Sequence, residues 1–141
     1  MNSQIKSEVK KLRKSSKFAY VGSVNEDGFP QIKCMFNIKS DDVKTHYFST
    51  NTSSKRVSQI SKNPKTSVYI CDEIFFKGAL FTGTSEILTD NETKERFWRK
   101  GDEKYYPKGV TDPDYCIIKF TAEAVNYYHG LSNTTFPIDE L

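Results

Sequence analysis

The chain has 141 residues, 36% of them hydrophobic and 13% aromatic, with 21 basic and 18 acidic side chains and a formal net charge of +3. This length fits one domain over residues 1–141, able to bury a core without disulfides. The totals argue against disorder, because ten Phe and eight Tyr supply burial. They also argue against a nucleic-acid binder driven by charge and against a membrane span of about 20 apolar residues.

Ile5, Val9 and Leu12 recur at helical spacing, with Asn2 or Ser3 as cap and Lys6, Lys10, Lys11, Arg13 and Lys14 on the other faces. An amphipathic helix over residues 3–14 is expected, its basic side solvated. The charged start has no apolar run behind it and is not a signal peptide.

Residues 18–24 are apolar and β-prone, Asn25-Glu26-Asp27-Gly28 is a turn signal, and residues 31–38 form the second strand of a hairpin. Ile32, Cys34, Phe36 and Ile38 share one face of that strand, and Lys33, Met35 and Asn37 the other. A third strand begins at His46 and ends in the stretch YFSTNTSSKRVSQISKNP, where eight consecutive polar residues, Ser49 to Arg56, join a strand to a short helix. Val57 and Ile60 give that helix one narrow buried edge, and Asn63-Pro64 stops it.

Further strands are expected over residues 66–71, 78–88 and 115–125, with Gly83 marking a bulge or a close backbone approach. Between the last two, Asp90 caps a helix with Glu92 in its first turn, and a Gly-, Pro- and Asp-rich loop covers residues 101–114. Residues 126–141 have weak periodicity and no assigned element. The sum is a mainly β domain with flanking helices, its six antiparallel strands forming a closed or nearly closed barrel.

The polar turn can hold an anion. The first turn of a helix has unpaired N–H groups and the positive end of its dipole. Ser53, Ser54 and Thr50 can donate to phosphate oxygens, Lys55 and Arg56 add charge, and Lys33 reaches the same point if the second and third strands pair. Taken alone, the turn reads rather as a cap by Thr52 or Ser53 beside solvated cations. The three cysteines, Cys34, Cys71 and Cys116, form no CxxC pair and read as small buried hydrophobes in a reduced, cytoplasmic protein without a structural metal. His46 is expected to be structural or exposed.

The order of these pieces resembles the pyridoxamine 5'-phosphate oxidase-like, FMN-binding split barrels. The carriers are the turn with DG-x-P, a strand ending in aromatic-x-[ST]-[ST], and S-[KR]-[KR] opening a helix that stops at NP. TGTSEI at residues 82–87 and YYPKGVTDPDY at residues 105–115 add to them, and the last elements are most similar to the bacterial general stress protein branch. The resemblance covers about residues 3–125. It implies a six-stranded antiparallel split β-barrel binding FMN at a homodimer interface. By the same resemblance, Lys33 meets the phosphate, and Ser49, Thr50, Ser54, Lys55 and Arg56 hold phosphate and ribityl. Cys34, Met35 and Phe36 lie near the isoalloxazine, with Phe48 a further candidate. Trp98 or Tyr105 would complete the site of the second subunit.

Departures accompany the likeness. The true oxidases carry basic and imidazole groups near the C-terminus, whereas here His129 is the tail's one imidazole and no Arg follows Arg99. Lys77-Gly78 stands where a polar side chain would meet the flavin. Oxidation of pyridoxamine phosphate is therefore not the expected activity. The leading expectation is an FMN-dependent oxidoreductase using a small-molecule or nicotinamide donor. The alternative is a protein that binds or senses flavin without rapid turnover. Haem and deazaflavin remain as other cofactors, and a barrel binding single-stranded nucleic acid is disfavoured because strand aromatics share faces with aliphatics.

Overall fold

The structure is a computed structural model that describes residues 3–141. Asn2, one of the two candidate caps of the first helix, lies outside the described residues. The elements are α1 (Ser3–Ser15), β1 (Phe18–Val24), β2 (Pro30–Phe36), β3 (Thr45–Asn51), α2 (Lys55–Lys62), β4 (Lys65–Asp72), β5 (Lys77–Leu88), α3 (Asn91–Phe97), β6 (Tyr115–His129) and β7 (Ser132–Pro137). Short 3-10 turns occupy Asp102–Lys104, Gly109–Thr111 and Ile138–Glu140. None of the described helices is long and apolar enough to cross a membrane.

All strand pairings are antiparallel, in the order β2-β1-β4-β5-β6-β3, with β7 added on β6. The long β6 serves two neighbours on one edge: residues 115–121 pair with β3, and residues 124–129 pair with β7. β2 and β3 end the path and do not pair with each other, which corrects the expectation that Lys33 reaches the turn through a shared ladder. The sheet is an open, split barrel with its gap between those strands.

The inward side chains follow the period of two. Val21, Phe48, Val68, Ile70, Phe81, Ile118, Phe120 and Val125 are almost fully buried, and Val9 and Leu12 of α1 close one side of the core. Each such aliphatic or aromatic side chain contributes about 1.5–3 kcal/mol by leaving water. A smaller cluster of Phe97, Tyr106, Tyr115 and Ile117 lies under α3.

The hairpin turn forms as its residues demand. Asn25 Oδ1 accepts from the N–H groups of Asp27 and Phe29, and Gly28 takes a φ of 83°. At Gly83 the β5–β6 register shifts, and an added Cβ would collide with the Thr121 carbonyl, so bulge and close approach occur together.

Three features differ from the expectations. The tail is not structureless: β6 runs on to His129, Gly130 turns the chain at a φ of 60°, and β7 returns along β6, making seven strands. Its signal was weak because Ser132 to Thr135 are exposed and, past Tyr127, only Phe136 and Ile138 are buried. Arg13 is 1% exposed rather than solvated. It donates to Asn37 Oδ1 at 2.8 Å and the Ile38 carbonyl at 2.6 Å, and desolvation lowers its pKa to about 10. Finally, β2 turns its more apolar face outward: Ile32 is 74% exposed and Phe36 47%, whereas Met35 and Asn37 are buried.

His46 is structural. It is fully buried with its ring edge-on to Phe81 and Phe120, and Nε2 donates to the Val43 carbonyl at 2.9 Å. Burial lowers its pKa to about 3, so it is neutral. Of the cysteines, only Cys116 is fully buried; Cys71 is half-buried and Cys34 exposed on the outward face of β2, which corrects the reading of all three as buried hydrophobes.

Candidate functional site

The gap between β2 and β3 is a cleft of about 310 Å³. Lys33, Cys34, Met35 and Phe36 supply one wall. Ser49, Thr50 and Asn51 at the end of β3, with Arg56 from the first turn of α2, supply the other. Phe18 of β1 and Arg99, Asp102, Tyr105 and Tyr106 from the segment after α3 complete it. Elements distant in sequence thus meet because the barrel does not close.

One part of the cleft lining is polar and cationic. Arg56 Nη2 donates to Thr50 Oγ1 at 3.3 Å, while Arg56 Nε is buried without a partner. Burial is the chief cause lowering the Arg56 pKa, opposed by Tyr106. The Ser49 hydroxyl, near Tyr115, is also buried and makes no hydrogen bond of standard geometry. Unpaired buried donors of this kind are costly unless a ligand answers them. Another part is aromatic: the Phe18 and Phe36 rings lie 5.4 Å apart, and the Arg99 guanidinium sits 5.1 Å from the Phe36 ring centroid. Tyr106 is held in its neutral form, burial pushing its pKa up to about 12.

The eight-residue polar turn divides its labour. Ser54, not Thr52 or Ser53, is the N-cap of α2, and its Oγ accepts from the Val57 N–H at 3.3 Å. Thr52 and Ser53 turn away to Asp114. Ser49, Thr50 and Arg56 line the cleft. Lys55, expected with Arg56, lines a separate groove with Asn25, Glu26 and Lys62. Phe48 is 1% exposed in the main core and does not line the cleft. Trp98 does not line it either, but packs on Tyr106 and Tyr115 at ring separations of 6.3 and 5.1 Å, supporting Tyr106 from behind.

Sequence reasoning assigned no site role to Phe18, Asn51, Arg99, Asp102 or Tyr106. Asn51 stood inside the polar run, and Tyr106 in the quoted YYPKG stretch, so both carried a signal. Arg99 carried none, since its approach to Phe36 depends on how the segment after α3 folds back.

An open antiparallel barrel with a polar-to-aromatic cleft between its terminal strands defines a split-barrel protein, and the comparisons agree. The family model described as pyridoxamine 5'-phosphate oxidase matches residues 5–129. The chain belongs to the pyridoxamine 5'-phosphate oxidase family. It is similar to a protein from Clostridium acetobutylicum described as related to general stress protein 26 of B. subtilis, of the pyridoxinephosphate oxidase family. The two are 44% identical, with 99% of each chain covered and a TM-score of 0.90. General stress protein 26 from Bacillus anthracis shares the fold at 19% identity, with a TM-score of 0.78 over 95% of this chain and 98% of that one. A heme binding protein from Mycobacterium smegmatis shares it at 10% identity, with a TM-score of 0.75 over 99% of this chain and 60% of that one. No curated protein matches the chain significantly.

Proposed function

We propose that the protein binds FMN in the β2–β3 cleft and works as an FMN-dependent oxidoreductase, with two copies of the chain meeting at the cleft. The observation that carries this reading is that Lys33, Ser49, Thr50 and Arg56 line one cleft, with a buried Arg56 Nε that lacks a hydrogen-bond partner. The residues fit the cofactor. Lys33 and Arg56 would answer the phosphate charge, Arg as a planar fork and Lys as a mobile point charge. Ser49 and Thr50 would donate to phosphate or ribityl oxygens. Met35, Phe18 and Phe36 would offer apolar surface to the ring, and the backbone at Cys34 would border it. Bound FMN would supply electron and hydride transfer, which needs no protein nucleophile.

A phosphate-bearing cofactor suits this cleft better than haem. His46 is locked in the core, and His129 sits in another groove beside Glu8 and Lys77. The homodimer is supported by exposed Phe18, Ile32 and Phe36 beside the cleft, an apolar surface that a second copy would cover. A cytoplasmic location remains part of the proposal, on the strength of three free cysteines. The electron donor is proposed only by class, as a small molecule or a nicotinamide.

The test is an absorbance spectrum of the purified protein before and after FMN addition and desalting. Retained flavin bands support the cofactor. A folded protein that retains none overturns it. Oxidation of a nicotinamide donor by the loaded protein separates an oxidoreductase from a protein that binds flavin without turnover.

A further inference from the structure

The β3–α2 turn and the loop that completes the cleft are tied together by one carboxylate that does not line the cleft. Asp114 Oδ1 accepts from Thr52 Oγ1 at 2.9 Å and from the Ser53 N–H at 3.0 Å, and Oδ2 accepts from Ser53 Oγ at 3.2 Å. The Asp114 carbonyl accepts from the Thr52 N–H at 2.7 Å. These bonds hold the Asp114 carboxyl below its ordinary pKa, the Ser53 N–H having the largest effect. Behind Asp114, Asp112 Oδ1 accepts from the Asp114 N–H at 3.0 Å and Oδ2 from the Lys108 N–H at 3.2 Å. Lys94 Nζ donates to the Asp112 carbonyl at 3.0 Å. The loop bearing Tyr105 and Tyr106 is thus stapled internally and moored to the β3–α2 turn.

We propose that Asp114 is a positioning residue for the phosphate end of the cleft, an inference that rests on the cofactor reading above. Thr52 and Ser53 lie between Thr50 and Arg56 in the chain, so their placement sets where both donors stand. Four hydrogen bonds to one residue leave that turn little freedom. The Asp114 charge is met by its own donors, so it moors the turn without turning a bare anion toward a phosphate. The Phe18–Phe36 pair, on β1 and β2, takes no part in the Asp114 hydrogen bonds. Loss of the clamp therefore weakens recognition of a phosphate and spares recognition of a flavin ring.

The experiment compares binding of FMN with binding of riboflavin, which lacks the phosphate, by fluorescence titration of wild type, Asp114→Ala, Asp114→Asn and Ser53→Ala. Asp114→Ala is expected to weaken FMN about tenfold and leave riboflavin within about twofold. Asp114→Asn keeps one acceptor oxygen and is expected to recover most of the loss. Ser53→Ala removes a single side-chain bond, is the milder variant should Asp114→Ala not fold, and is expected to show a smaller loss of the same kind. Folded variants that bind FMN like wild type overturn the role of Asp114, as does a parallel loss of FMN and riboflavin. A wild type that binds neither flavin overturns the cofactor reading itself.

Discussion

Two helix starts in this molecule use the same device and carry opposite charge. Ser54 before α2 and Asp90 before α3 both have extended backbone, with φ and ψ of −71° and 152° and of −69° and 144°. Each side chain accepts from the N–H three residues on, Val57 in one case and Thr93 in the other. The α3 start then adds Glu92, so its exposed N–H groups face two of the chain's own acids. The α2 start has no acid in its first turn and adds Lys55 and Arg56. Capping therefore explains both helices equally, and only the charge sets them apart. The positive end of α3 is answered by two acids of the chain, whereas that of α2 carries two cations in its first turn.

The strongest way to break the comparison is to remove the cation that faces the cleft. Arg56→Ala is expected to weaken FMN about ten- to a hundredfold, and Lys33→Ala by about tenfold, as for lost charge-assisted hydrogen bonds. Calorimetric titration, with thermal melting to show retained folding, checks both, and unchanged affinity in both variants sinks the phosphate site. A second variant copies α3 onto α2. Ser54→Asp keeps the cap and adds a negative charge, so helix stability should hold or rise slightly while FMN affinity falls about fivefold. Tighter binding in this variant would place the anion elsewhere.

Lys55→Ala sharpens the comparison, because Lys55 faces the groove beside Glu26 and not the cleft. The expected loss is less than about threefold, the long-range share of one exposed charge. A loss as large as that of Arg56→Ala would show that Lys55 swings into the cleft on binding. The smallest effect is one of pH. Thr93 holds the Asp90 carboxyl below its ordinary range through its side chain and N–H. A group depressed in this way contributes stability above its unfolded pKa of about 4 and loses it as pH falls through the lowered value. Ser54 has no proton to gain. Protection of the Thr93 amide against hydrogen exchange, taken relative to the intrinsic rate at each pH, should therefore fall on acidification before that of Val57, and equal behaviour at the two amides would mean that the caps do not differ in charge.

Much of the scaffold was legible because its signals are local. The Asn25–Gly28 turn, the Asp90 cap, the Asn63-Pro64 stop and the Gly83 bulge each depend on a few adjacent residues, and each stands where the pattern placed it. The cleft was legible in part. Lys33, Cys34, Met35, Phe36, Ser49, Thr50 and Arg56 do line one cavity, whereas Phe48, Lys55 and Trp98 point elsewhere and Ser54 is committed to its cap. The period of two places Phe48 and Ser49 on opposite faces of β3, but by itself does not say which face meets the core.

The sequence by itself determined the helices and strands up to about residue 125, and that cations and hydroxyls gather at the start of α2. Only the tertiary structure decided where those groups look. Thr52 meets Asp114 across 62 residues, Arg13 meets Asn37 across 24, and Arg99 meets the Phe36 ring because a loop folds back over β2. It also decided that residues 132–137 form a strand, since a mostly polar edge strand shows its partner only once β6 lies beside it. The reason is one of range. Backbone propensity and capping act within a turn or two, whereas burial, ion pairing and strand partnership depend on which distant segments the closing core brings together.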